Sequence, residues 1–242
     1  MIKRVLSLFF VIFLCINLLL INSVQAYENI KKDEGDFIVC IDPGHQGKGD
    51  SRGEPVAPNS SNTKPRVSSG TAGVATKNPE HAINLEASLI LKELLLEKGY
   101  TVVMTREEAN VNISNAERAE IANKAKADIT IRIHCDSIND GGKTGTVILV
   151  PSKDGKYTNG IFEDSNKYAE ILKNKLQESN IKVNGIFERS DITGFNWSTV
   201  PVVILEMGFM SNYNEDKMLA DKLYQMKLME CVSNAIDEYK NT

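Results

Sequence analysis

The sequence predicts an α/β fold, one domain built on a largely parallel, mixed sheet of about six strands flanked by helices on both faces. Three observations carry this expectation. Short apolar runs such as Phe37–Ile41, Ile129–His134 and Val202–Glu206 have the continuous character of strands buried on both sides. Segments of helical period alternate with the early runs, and strand, helix, strand, helix, strand in that order implies parallel pairing through right-handed crossovers. The 242-residue chain, less its N-terminal segment, is long enough for a single stable core and too short to require two.

Residues 1–26 place Lys3 and Arg4 before an apolar stretch from Val5 to Ile21 and end on Val24-Gln25-Ala26, with small residues at −3 and −1. This is the pattern of a secretory signal peptide cleaved after Ala26. Left uncleaved it would be a membrane anchor, because ~20 apolar residues span a bilayer. Leu14 before Cys15 is not the small residue that a lipoprotein site requires. Residues 27–36 read as a polar tether, and 37–242 as the folded domain. Beyond the signal remain Cys40, Cys135 and Cys231, an odd number whose spacing fits neither a zinc ribbon nor a disulfide scaffold, so they are expected as buried free thiols. A formal charge of −4 provides no electrostatic footprint for nucleic acid.

The first strand, Phe37–Ile41, leads into "DPGHQG" and then a glycine-, serine- and proline-rich stretch, 46–78, without period. Loops of that length are usually binding loops or disordered. Asn78-Pro79-Glu80 reads as a helix start, with Asn as N-cap and Pro at the first helical position. Ile83, Ala87, Ile90, Leu91 and Leu94 make its apolar stripe, and Lys98-Gly99 closes it. A strand over 100–105 follows. Ser114-Asn115-Ala116-Glu117 is a capping box that opens a second helix to Ala125. The strand Ile129–His134 comes next, then a strand over 146–150, a helix over 163–179 and a short strand near Val183. The chain ends with the buried strand 202–206 and a helix in two pieces between Asn214 and Tyr239.

Two of the three histidines, His45 and His134, fall at carboxyl ends of strands, the edge where open α/β sheets bind ligands. The helix that starts at Glu80 has its N-terminus at the same edge. At ~100° per residue Glu80 lies about 20° from the centre of the apolar stripe, whereas Glu86 lies about 100° away and about 9 Å farther along the axis. Glu80 is therefore the acid placed to join His45 and His134. Two imidazoles and a carboxylate form the ligand set of a catalytic zinc, which keeps a position open for water. Glu206, ending the strand 202–206 at the same edge, is the candidate general base. Each residue taken singly has a plainer reading, as a turn histidine, a helix-dipole acid or a buried ion-pair partner. Their convergence on one edge is what separate structural roles do not predict.

The segments "VCIDPGHQG", "NPEHAINL", "VVMTRE", "AERAEIANKAKADITIRIHCDS" and "VPVVILEMGFMSN" carry a resemblance to the zinc-dependent type 3 N-acetylmuramoyl-L-alanine amidases. It extends from about Ile38 to the C-terminus. The resemblance implies Zn2+ held by His45, Glu80 and His134, with Glu206 as the catalytic glutamate. It implies hydrolysis of the amide between N-acetylmuramic acid and L-alanine in peptidoglycan, whose glycan strands and stem peptides would be the partners. His81 and Cys135 depart from residues common in the family at those places, without removing a ligand. A lone catalytic domain behind a signal is most similar to the spore-cortex amidases, which prepare muramic-δ-lactam. That implies sporulation and germination as context, on the cell-wall side of the membrane or in the intermembrane space of the developing spore, with an accessory regulatory protein as a further partner. Arg52, Lys64 and Arg66 would make the 46–78 loop a cationic wall for stem-peptide carboxylates.

Two alternatives stand beside this reading. One is a non-catalytic or partner-activated peptidoglycan-binding module of the same fold. The other is acyl transfer through Cys135, which is weakened because neighbours on a strand point to opposite faces and His134 is its only adjacent base. No G-x-S-x-G elbow is present for a serine hydrolase.

Overall fold

The structure, a computed structural model, describes residues 36–242. The expected signal peptide and residues 27–35 of the tether lie outside the described residues. In chain order the elements are β1 (Ile38–Pro43), β2 (Asp50–Pro55), β3 (Thr63–Val67), α1 (Glu80–Glu97), β4 (Thr101–Met104), α2 (Asn115–Ala125) and β5 (Ile129–Asp136). Then follow β6 (Thr146–Pro151), α3 (Asn159–Glu178), β7 (Val183–Arg189), α4 (Thr193–Asn196), β8 (Val202–Phe209), α5 (Tyr213–Leu219) and α6 (Lys222–Lys240).

Six strands form one sheet in the order β4-β1-β5-β8-β6-β7. The first four are parallel, and β6 meets β8 antiparallel while pairing parallel with β7. The expected mixed, largely parallel sheet is thus present. Its interior strands β1, β5 and β8 are buried on both faces because helices cover both, hence their apolar runs. Helices α1, α3 and α6 pack together on one face. There Ile83, Ala87, Leu91 and Leu95 of α1 share a core with Ile131, Ile133, Leu172 and Val232. On the other face α2 and α4 pack together, and Phe195 meets Val202 and Ile204. Cys40, Cys135 and Cys231 are buried free thiols, as expected.

Four local readings are corrected. The 46–78 stretch is not aperiodic throughout, because β2 and β3 form an antiparallel hairpin with a register shift between Asp50 and Gly53. Neither strand has an apolar alternation to reveal it, since most of its residues face solvent. The hairpin is held down by polar contacts instead. Glu54 accepts from the backbone N–H groups of Asn115 and Ala116 at the start of α2, and Trp197 Nε1 donates to the Pro55 carbonyl. Asn78 is not the N-cap of α1. Pro79 occupies that position without a side-chain bond, and the first helical N–H, that of Glu80, donates to the Thr71 carbonyl at 2.9 Å. Helix α3 begins at Asn159, before the expected 163, and the short strand near Val183 is the full strand β7. The capping box of α2 and the two-piece C-terminal helix are as read from the sequence.

Candidate metal centre and active site

His45 sits in the turn after β1 with φ 61°, in the left-handed region that is uncommon outside glycine. Buried arginines hold it there. Arg106 donates through Nε to the Pro43 carbonyl (2.9 Å) and through Nη2 to those of Gly44 (2.9 Å) and His81 (2.8 Å). Arg118 donates through Nη1 to Pro43 O (2.8 Å) and through Nη2 to His45 O (2.8 Å). Three successive carbonyls of the turn are therefore fixed by guanidinium groups, which cannot lose their charge. Asp42 is the counter-ion, accepting from Arg118 and Arg132 at 2.7 Å each and from the Thr105 hydroxyl at 2.6 Å. Burial alone would raise its carboxyl pKa; the two arginines outweigh burial and hold it well below the usual range.

The ring of His45 is oriented from behind. Its Nδ1 lies 3.1 Å from the Ser68 carbonyl and 2.9 Å from the Ser68 hydroxyl. Donation of Nδ1–H to the carbonyl leaves the Nε2 lone pair facing forward, the usual outer-shell arrangement behind a histidine ligand. Nε2 faces Glu80 Oε1 at 3.1 Å.

Glu80, the first residue of α1, is buried and fully engaged. Oε1 accepts from the Cys135 backbone N–H (3.1 Å) and Asn84 Nδ2 (3.2 Å), and Oε2 from the Thr71 N–H (3.0 Å). Burial would raise its pKa, yet the facing imidazoles of His134 and His45 outweigh burial and hold it well below the usual range. Gly70, at φ 81°, passes so close that a Cβ there would lie 2.6 Å from Glu80 Oε2 and 2.9 Å from His45 Cδ2. No other residue type fits that passage.

His134 approaches Glu80 Oε1 through Nδ1 at 3.3 Å. Its Nε2 is buried and has no partner. Burial depresses its pKa to about 4, so the ring is neutral and offers a lone pair at neutral pH. Gly44 makes room for this ring, because a Cβ at that position would come within 2.6 Å of His134 Cδ2 and closer to two other ring atoms. One ligand atom from each of His45, Glu80 and His134 lies within 4.8 Å of the others. Two imidazoles, one of them with an orphaned ring nitrogen, and an ionised carboxylate suit a divalent cation.

Glu206 stands beside this group, since its Cα is the register partner of His134 across β5 and β8 and adjacent strands lie ~4.8 Å apart. Its Oε2 is shut off from solvent and unpartnered. Burial, then the charges of Glu80 and Asp136, push its pKa well above the usual carboxylate range. A carboxyl so placed can hold a proton, and a cation nearby would favour its release. Cys135 faces the opposite side, within the α1 core, and burial raises its thiol pKa far above normal. That environment does not make a nucleophile.

The loop cations are already paired. Arg66 bridges Glu117 Oε2 (2.8 Å) and Asp50 Oδ2 (3.1 Å). Arg52 has an exposed side chain and chelates the same Asp50. Lys64 Nζ donates to the Asp191 carbonyl. Sequence reasoning passed over Arg106, Arg118 and Ser68. The two arginines each follow or begin an element at the sheet edge, and a charged residue at a position that must be buried was the available signal. Nothing local marked Ser68.

The family model described as N-acetylmuramoyl-L-alanine amidase matches residues 39–238 of the chain. An N-acetylmuramoyl-L-alanine amidase of Mycobacterium tuberculosis is 31% identical over 185 residues, covering 73% of this chain and 75% of its own length. The "Probable cell wall amidase LytH" of Staphylococcus saprophyticus is 26% identical over 219 residues, 90% of this chain, which spans only 63% of that relative. The crystal structure of the apo N-acetylmuramyl-L-alanine amidase of Mycobacterium abscessus superimposes with a TM-score of 0.76 at 26% identity, covering 86% of this chain and 100% of that one.

Proposed function

The chain belongs to the N-acetylmuramoyl-L-alanine amidase family, and from that premise we propose that His45, Glu80 and His134 hold one zinc ion beside Glu206 for hydrolysis of the muramoyl–L-alanine amide of peptidoglycan. The observation that carries the reading is the convergence of three ligand atoms within 4.8 Å next to an unpartnered carboxyl in register with one of them. The chemistry zinc supplies when bound is a water acidified from ~15.7 to ~7 and a polarised carbonyl. The residues provide the remainder. Ser68 keeps the proton of His45 on Nδ1, and the N–H groups of Cys135 and Thr71 hold the Glu80 carboxylate in one orientation. Glu206 takes a proton from the attacking water and returns it to the leaving nitrogen. The carbon–nitrogen bond breaks, leaving the lactyl carboxylate of muramic acid and the free amine of L-alanine.

Arg52 is retained as a proposed substrate contact because its side chain reaches solvent; Arg66 is engaged with Asp50 and Glu117 and would shape the groove rather than bind. We further propose that residues 1–26 export the domain to the cell-wall side of the membrane. Among the described residues no helix is long and apolar enough to cross a membrane. The proposed setting is maturation of the spore cortex, where an accessory protein would complete or regulate the site. Deletion in the sporulating host should abolish muramic-δ-lactam in spore muropeptides; unchanged lactam would remove that role.

The direct test of the chemistry is metal analysis of the purified protein, paired with assay on defined muropeptides. Glu80→Ala is expected to lose zinc and activity together, and Glu86→Ala, altering an acid whose Oε2 accepts from Gln225 Nε2, to keep both. The opposite result would show that the wrong acid is assigned.

A further inference from the structure

On the Glu206 side of the sheet, the cluster of Phe195, Val202 and Ile204 covers the strands as far as Leu149, and beyond it the edge strand β7 leaves an aromatic side chain half exposed. In register across β8 and β6, Ile204 pairs with Leu149, and across β6 and β7 Leu149 pairs with Phe187. Register partners share a face, so Phe187 lies on the face that bears Ile204 and, two residues on, Glu206. Phe187 is 50% exposed although it sits in a strand beside a hydrophobic cluster. Gly185, with φ 148°, keeps the space over that ring clear, since a Cβ there would be 3.3 Å from it.

Arg189, two residues beyond Phe187, projects to the same face at the end of β7. Its Nε and Nη2 donate to the two oxygens of Asp191 at 2.8 and 3.0 Å. Lys64, from the docked hairpin, reaches Asp191 too, with 3.5 Å between Nζ and Oδ2. Two cations thus share one carboxylate at the far end of a shelf that starts at Glu206. All three side chains are about half exposed, and exposed ion pairs of this kind stabilise weakly, so a ligand carboxylate can displace or join Asp191. The excess positive charge is notable in a chain with a formal charge of −4.

We propose that the shelf formed by Leu149, Phe187 and Arg189, with Lys64 on the opposing hairpin, is the subsite for the stem-peptide side of the substrate, and that Arg189 is a specificity-determining residue that binds a peptide carboxylate. This rests on the amidase reading above. The occupant is an acidic peptide rather than the glycan: the apolar row suits aliphatic side-chain stems, and a planar guanidinium suits a carboxylate.

The test compares the wild type with Arg189→Ala and Arg189→Lys on two muropeptides, one with free stem-peptide side carboxylates and one with those carboxylates amidated. For Arg189→Ala, KM on the acidic substrate should rise about tenfold, the size of one charge-assisted contact, with kcat, zinc content and the amidated substrate unchanged. Arg189→Lys should recover part of the loss. Calorimetric binding of the free acidic stem peptide should weaken in parallel. Equal effects on both substrates, or none, would overturn the assignment. A wild type that holds no zinc and cleaves neither substrate would instead refute the amidase reading, and the peptide titration would still report on the shelf.

Discussion

Replacing Gly44 with Ala adds one methyl group at a position whose backbone permits it, and it should cost the protein its metal. The added Cβ would sit 2.6 Å from His134 Cδ2 and nearer still to Cε1 and Nε2. Carbon atoms at optimal separation are ~3.5–4.0 Å apart, so the imidazole must retreat by about 1 Å or the turn must open. The turn is the stiffer partner, because Arg106 and Arg118 hold its carbonyls and the Gly44 N–H donates to Ile133 O at 2.9 Å. The ring therefore moves. Metal–ligand distances tolerate only ~0.2 Å, so a displacement of about five times that removes His134 from the ligand set. The expected outcome is zinc content well below stoichiometric after dialysis against buffer, with hydrolysis lost in proportion and a folded protein by circular dichroism. Gly160→Ala is the control, since nothing lies within 4 Å of a Cβ there. Full zinc occupancy and near-wild-type turnover in Gly44→Ala would refute the close-packed geometry on which the site is argued.

Glu206→Ala should separate metal binding from turnover: zinc stays near wild type while hydrolysis falls ~100- to 10,000-fold, the usual contribution of a positioned acid/base group. Activity within a few-fold of wild type would take Glu206 out of the mechanism. Asp42→Asn leaves Arg118 and Arg132 buried without their counter-ion, a change that costs ~3–5 kcal/mol, and at ~2–4 °C per kcal/mol the melting temperature at pH 7 should drop by about 6–20 °C. The folded-state pKa of Asp42 is depressed, so its stabilisation is complete above the unfolded value of ~3.9 and fades as pH falls below it. Thermal scans at pH 7 and pH 3 should show the gap between variant and wild type narrowing in acid; a constant gap would mean the carboxylate charge is not what stabilises the turn. Iodoacetamide applied to the native protein should leave hydrolysis intact, because Cys135 is buried with a raised pKa, and inactivation that tracks Cys135 labelling would revive the thiol nucleophile.

Much of the architecture was legible because its signals are local and periodic. The unbroken apolar runs of β1, β5 and β8, the stripe of α1 and the capping box of α2 each lie within one segment. Strand ends are local too, so His45, His134 and Glu206 could be assigned to one edge, and a helical wheel favoured Glu80 over Glu86. Tertiary structure decided everything that joins residues far apart in the chain. The hairpin of β2 and β3 escaped because its stability comes from Glu54 at a helix start 61 residues on and from Trp197, rather than from an apolar face. The pairing of Arg66 with Glu117 turned an apparent free cation into a strut. Phe187 came onto the face that bears Glu206 only through the pairing of β8 with β6 and of β6 with β7, which no local pattern encodes. Side-chain period reports which face of an element is buried, since that depends on the element's own geometry. What lies across from that face depends on sheet order, and sheet order is set by packing among all the elements at once.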